Sequence, residues 1–229
     1  MKALEYTNKG CRESNQDYVK RSSLGEGTAI YVVADGMGGY AYGELAAKVV
    51  SESIVDYVAE HVSKMTPSQL LTNAYKFANE SLNIKRMILN AKEMGCVAVA
   101  LLINDGMAYM AWLGDSRIYM YRDGQEVFKT DDHSMVAELS KIRSLSLSEL
   151  DRYSSIVTRA LMGDDEDVTP SLMKSEIQEG DVFVLSSDGL HKQWLMSDIV
   201  SSSEDKLVAN LEDASAKMDD NYSFIKVTI

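Results

Sequence analysis

The sequence predicts an α+β fold in which antiparallel sheet is covered by helices. Three observations carry this. The turns "NDG" (104–106) and "RDG" (122–124) each join two consecutive β-type runs, and Asn, Asp and Gly tolerate the positive φ that tight hairpins need. Stretches with helical apolar spacing lie before and after that block instead of alternating with its strands. Twice, at Asp35 and Asp188, an apolar run ends on an acid and a glycine just before a helical start.

The elements follow in order. "TAIYVVAD" (28–35) is apolar and β-branched, so it reads as a buried strand ending at Asp35. Gly36, Gly38 and Gly39 come next. Val50, Ile54, Val55, Val58 and Val62 then mark one face of a helix. Thr66 and Pro67 open a second helix, as cap and first-turn proline, with Leu70, Ala74, Phe77, Ala78 and Leu82 on its apolar face. "CVAVALLI", "MAYMAWLGDSRIYMYR" and "QEVFKT" read as an antiparallel meander over 96–130, interrupted at "GDS". "SLSLSELDRYSSIVTRAL" is helical in part, with Ser146 or Ser148 as N-cap. "GDVFVLSSDGL" is a strand running into a helix, and "SDIVSSSEDKLVANLEDASAKM" makes one or two helices. "DDNYSFIKVTI" is a pair of acids followed by a strand.

Composition sets bounds. The 229 residues carry no Pro-rich or Gly/Ser-rich linker and no internal repeat, so 1–229 reads as a single domain. The net charge of −12 repels nucleic-acid phosphates and anionic membrane surfaces, which argues against both as partners. Two cysteines, Cys11 and Cys96, cannot form a disulfide framework, the start lacks an apolar leader, and no run is long enough to span a bilayer. The expectation is a reduced, soluble, cytoplasmic monomer.

Several chemistries drop out. Six residues after Cys11 stands Asp17, and six after Cys96 stands Leu102, so neither cysteine has the arginine that a cysteine phosphatase needs. "DxDxT", "GxSxG" and "GxxxxGK[ST]" are absent, which removes an aspartyl nucleophile, a serine-hydrolase elbow and a phosphate-binding P-loop. What remains is a set of acids: Asp35, Asp188 and Asp220 at strand edges, and Asp115 in the break of the meander. If they converge, their mutual repulsion calls for a cation. Without Cys or His at ligand spacing the donors are all oxygen, which suits Mg²⁺, Mn²⁺ or Ca²⁺. Any one "DG" after a strand is more often a plain turn, and periodicity alone does not say whether the acids meet.

Taken together and in this order, "RESNQDY" (12–18), "VVADGMGGYAYGELAA" (32–47), "AWLGDSRIYMYRDG" (111–124), "DDHS" (131–134), "VTRALMG" (157–163), "DVFVLSSDGL" (181–190) and "DDNYSFIKV" (219–227) resemble the metal-dependent serine/threonine protein phosphatases of type 2C, in their compact bacterial form. The resemblance implies a four-layer α-β-β-α sandwich of two antiparallel sheets flanked by helices. It implies two Mn²⁺ or Mg²⁺ ions in the cleft between the sheets, and a weaker third. By position, Asp35 would bridge the two ions and the Gly36 carbonyl would ligate one. Asp188 and Asp220 would hold the other, and Asp115 would share the third with Asp188. Asp17 would orient a metal-bound water, and Arg12 would bind the substrate phosphate. A metal-bridged water would then attack phosphoserine or phosphothreonine of a protein substrate, opposing a serine/threonine kinase, with no covalent enzyme intermediate.

Other residues admit quieter readings. Arg12 could be an ordinary surface arginine. His133 shapes a loop; His61, His191, Trp112 and Trp194 are structural; Glu44 suits a helix first turn. Met37 stands where many animal members carry a histidine general acid, so a metal-bound water would protonate the leaving group. Cys96 and Val97 replace two common threonines, the flap at 134–158 is short, and Lys226 is expected on an edge strand. Two alternatives stand beside the phosphatase: a regulatory pseudophosphatase on the same fold, and a hydrolase of small phosphate esters.

Overall fold

Two five-stranded antiparallel sheets lie face to face, each covered on its outer side by helices. The structure is a computed structural model describing residues 1–37 and 42–229; Gly38 and Gly39 of the glycine-rich stretch lie outside the described residues. The first sheet runs β2 (Asp17–Gly25), β3 (Thr28–Gly36), β4 (Cys96–Asn104), β5 (Met107–Leu113), β8 (Ser171–Glu176). The second runs β1 (Lys2–Asn8), β10 (Tyr222–Thr228), β9 (Val182–Ser186), β6 (Arg117–Arg122), β7 (Gln125–Lys129). Helices α1 (Gly43–His61) and α2 (Pro67–Leu89) cover the first sheet. Short helices α3 (Met135–Ser140) and α4 (Leu147–Tyr153) form the 134–158 segment, and α5 (Asp188–His191), α6 (Met196–Ser201) and α7 (Glu204–Ala214) cover the second sheet.

Strand periodicity explains the layers. Along β3, Tyr31 and Val33 point into the layer between the sheets while Ile30 and Val32 point to α1 and α2. Both faces are buried, so the run is apolar throughout instead of alternating. The inter-sheet layer is closed from the other side by Ile118, Phe183, Leu185, Ile225 and Val227. A third apolar layer, including Val184, Leu190, Leu207 and Tyr222, lies under α5–α7. Tyr75 anchors α2 by donating its hydroxyl to the Ala98 and Ala111 carbonyls, at 3.0 and 3.1 Å.

Both predicted hairpins form, with Asp105–Gly106 and Asp123–Gly124 at positive φ. Ser146 caps α4 in a reciprocal capping box with Glu149. Thr66 has the extended backbone of a cap, but its hydroxyl donates to Gln69 Oε1 and caps no backbone N–H. The C-terminal helical region resolves into two helices, α6 and α7.

Three expectations are corrected. Residues 96–130 are not one meander: β5 and β6 lie in different sheets, and "GDS" is the crossing between them. Gly114 permits it, with φ +112° and a site where any Cβ would lie 2.2 Å from Val97. Lys226 is not on an edge, because β10 lies between β1 and β9. Its stem is buried and its ammonium donates to the carbonyls of Ile199 (2.9 Å), Val200 (2.8 Å) and Ser202 (3.3 Å), which end α6. Phe77 is 41% exposed and leans on Tyr57 instead of entering the core.

Candidate metal centre

Antiparallel order brings the acids to one end of the two sheets. Asp17 opens β2 and pairs with Asp35, the penultimate residue of β3. Asp115 lies in the crossing between β5 and β6, Asp188 starts α5 just after β9, and Asp220 sits just before β10. A cleft of about 570 Å³ opens there, lined by Arg12, Asp35, Gly36, Asp115, Asp188 and Asp220 among others. Met37 and Val97 add apolar wall, and Ser155 and Val157 bring the 134–158 segment to the rim. Gly36 must be glycine: a Cβ there would lie 2.4 Å from the Gly43 backbone, where the chain folds back at the start of α1.

The electrostatics are those of crowded carboxylates. Asp17 is 5% exposed; its Oδ2 accepts from Ser187 Oγ at 2.7 Å, while its Oδ1 is buried and meets no hydrogen-bond donor among the described residues. Burial pushes its pKa up to about 7, with Asp188 and Asp220 adding to the rise and Ser187 and Ser223 opposing it. Burial also raises Asp35 well above the usual carboxylate range, reinforced by Asp17, Asp188 and Asp115. Burial likewise pushes Asp115 up to about 6, with Asp188 next. Asp188 instead ends below the ordinary value: burial acts to raise it, but the charge of Lys192 and its hydrogen bond to the carboxylate outweigh that.

These residues fit a hard divalent cation. The donors are carboxylate and carbonyl oxygens, Asp17 carries an orphaned buried oxygen, and the like charges ionise together only beside positive charge. In this structure basic side chains supply part of that charge. Arg12 Nη2 donates to Asp220 Oδ2 at 2.9 Å, and Lys192 Nζ donates to Asp188 Oδ2 at 2.5 Å. No three acids, histidines or cysteines among the described residues stand as a ready-made cation cage.

The Arg12 loop is held by a residue that sequence reading passed over. Asn221 Oδ1 accepts from the Gln16 N–H at 2.8 Å, and its Nδ2 donates to the carbonyls of Lys9 and Ser14, both at 2.9 Å. Its signal was its place directly after the paired acids. Ser187 and Lys192 were also missed; Lys192 was legible as an (i, i+4) partner of Asp188 at a helix start.

The remaining candidates are structural. His133 Nδ1 accepts from the Gly114 N–H at 3.1 Å and the ring stacks on Trp112, so it fixes the turn that carries Asp115. Burial, then Arg159, pushes its pKa down to about 4, which keeps it neutral. His191 contacts Ser186, His61 stacks on Tyr57 and Trp194 packs half-buried under α5–α7. Trp112 donates from its indole to the Asp131 carbonyl at 2.8 Å. Cys96 is fully buried behind Asp35, its thiol pushed up by burial.

Known proteins share this architecture. The family model described as Protein phosphatase 2C matches residues 10–221. The chain is 29% identical over 183 residues to the protein phosphatase PhpP of Streptococcus pneumoniae, covering 78% of this chain and 74% of that one. The Streptococcus agalactiae serine/threonine phosphatase superposes with a TM-score of 0.83 at 27% identity, over 100% of this chain and 99% of that one. A PstP catalytic domain solved in complex with two manganese ions superposes with a TM-score of 0.80 over 98% of this chain and 96% of that one; at 24% identity it shows the fold alone.

Proposed function

The chain belongs to the protein phosphatase 2C family, and on that premise we propose that it is a metal-dependent serine/threonine protein phosphatase whose single catalytic domain spans residues 1–229. The observation that carries the reading is the group of Asp17, buried, and Asp35 and Asp188, partly exposed on the cleft wall, whose shared charge a divalent cation would offset. Asp35, the Gly36 carbonyl, Asp188 and Asp220 would hold two Mn²⁺ or Mg²⁺ ions, with Asp115 and Asp188 offering a weaker third position. Bound there, the ions would supply an acidified water and neutralise the phosphoryl oxygens.

The chain's own residues do the rest. Arg12, on its clamped loop, reaches the cleft and presents a guanidinium fork suited to phosphate oxygens. Asp17 stands one residue behind the cleft wall, positioned by Ser187, to orient water through its free oxygen. Met37 carries no proton to give, so the leaving oxygen draws its proton from water. The substrate is a protein bearing phosphoserine or phosphothreonine, the opposing enzyme a serine/threonine kinase, and the two free cysteines suit the reducing cytoplasm. No helix among the described residues is long and apolar enough to cross a membrane.

Hydrolysis of a phosphothreonine peptide with and without Mn²⁺, in wild type and Asp188→Asn, tests this. Wild type is expected to need Mn²⁺, and the variant to lose about a hundredfold or more in rate. Turnover of p-nitrophenyl phosphate without peptide turnover would assign a small-ester hydrolase instead. Inactivity toward both, with any divalent cation, would assign a pseudophosphatase.

A further inference from the structure

Asp188 carries its own cation. It is the first residue of α5, and Lys192 follows four residues later, so the two side chains fall on one helix face. Lys192 Nζ stands 2.5 Å from Asp188 Oδ2, and its charge also acts on Asp115 and Asp35 across the cleft. Nothing in the hydrolysis proposed above calls for an amine at this point, and the Lys192 side chain keeps 47% of its surface exposed, so packing does not require it either.

We propose that Lys192 is a tethered counter-cation of the cleft, which a divalent ion binding at Asp188 must displace, so that the affinity for activating metal is lower than the acids alone would give. The inference rests on the metal-dependent reading of the site. Two effects compete with the incoming ion. Asp188 Oδ2 cannot be fully available to an ion while it accepts from the ammonium, and an ammonium beside the site repels a dication directly. The lysine is always present at high effective concentration, whereas the ion comes from solution. Its hold is nevertheless weak, because the ammonium end of this (i, i+4) pair is half-exposed on a flexible four-carbon stem and is screened by water. Lys192 therefore tunes metal binding without blocking it. Arg12 on Asp220 differs, since its guanidinium has a second hold on the Asp219 carbonyl.

Mn²⁺ binding to the full chain, by isothermal titration calorimetry and by the paramagnetic resonance signal of free Mn²⁺, decides the matter. Lys192→Met and Lys192→Gln are expected to bind Mn²⁺ about five- to tenfold more tightly than wild type. Lys192→Arg, which keeps the charge, should bind no more tightly than wild type. In EDTA the Lys192→Met protein should melt lower than wild type, and Mn²⁺ should raise its melting temperature by more. If wild type and Lys192→Met bind Mn²⁺ equally, or the variant binds more weakly, the inference falls and the metal reading stands. If neither binds Mn²⁺, the metal reading itself fails and the inference falls with it.

Discussion

Arg12 and Asp220 hold each other: Nη2 donates to Oδ2 at 2.9 Å while Nε donates to the Asp219 carbonyl at 3.0 Å. The side chain proposed for phosphate thus rests on an acid proposed for metal, and a cation at Asp220 would release the guanidinium toward the cleft. Arg12→Ala should therefore act on substrate binding more than on the fold. KM for a phosphothreonine peptide is expected to rise about tenfold or more, the worth of one charge-assisted hydrogen bond pair. The melting temperature should hardly move, because the pair is exposed. Steady-state kinetics beside a thermal melt separates the two; an unchanged KM would return Arg12 to an ordinary surface arginine.

Asn221 makes three hydrogen bonds that pin residues 9–16 to the start of β10. Asn221→Ala removes all three of these hydrogen bonds, a cost of about 2–3 kcal/mol. For a chain of this size that is a melting temperature lower by about 5–10 °C. Because the loop carries Arg12, KM should rise as in Arg12→Ala. A double variant tests the link, since its KM should barely exceed that of either single one.

His133 is held neutral, its pKa near 4 against an unfolded value near 6.5. The unfolded chain binds the extra proton first as pH falls. The stability from His133 is therefore complete above about pH 6.5 and is lost as pH drops toward about 4. His133→Asn removes that dependence. In EDTA, the variant should melt below wild type at about pH 7.5 and lose less on acidification to about pH 4.5, so the two curves converge. Parallel curves would mean that His133 does not titrate in this window.

Lys226 ties β10 to the end of α6 through three carbonyls. Lys226→Met keeps the apolar stem and removes the donors, which should cost about 1–3 kcal/mol in urea unfolding. Peptide hydrolysis per folded molecule should be unchanged, because Lys226 is remote from the cleft lining. A loss of turnover without loss of stability would contradict this.

Legibility followed burial. Strands buried on both faces, β3, β4 and β9, announce themselves as apolar runs. The edge strands β1, β2 and β8 did not, because one edge and part of one face meet water and their residues are mixed. β7, an edge strand too, was read only because its hairpin turn marks it. Lys226 was misplaced for a related reason: a lysine in a strand signals an edge unless carbonyls wait at the end of its stem, and those belong to a helix some 25 residues away.

In the site, the sequence determined which groups are available: acids at strand ends, a glycine where no side chain fits, an arginine loop and no nucleophilic cysteine. Those are local properties of residue type and period, and they place the chain in its family. The tertiary structure decided what the groups do to one another. It brought Asp17, Asp35 and Asp188 together at the cleft, turned Asp220 onto Arg12 and Asp188 onto Lys192, and set Asn221 and His133 to hold the loops that carry Arg12 and Asp115. Charge, burial and hydrogen bonding act over a few ångströms of space between residues up to about 200 positions apart, and no periodicity along the chain encodes that distance.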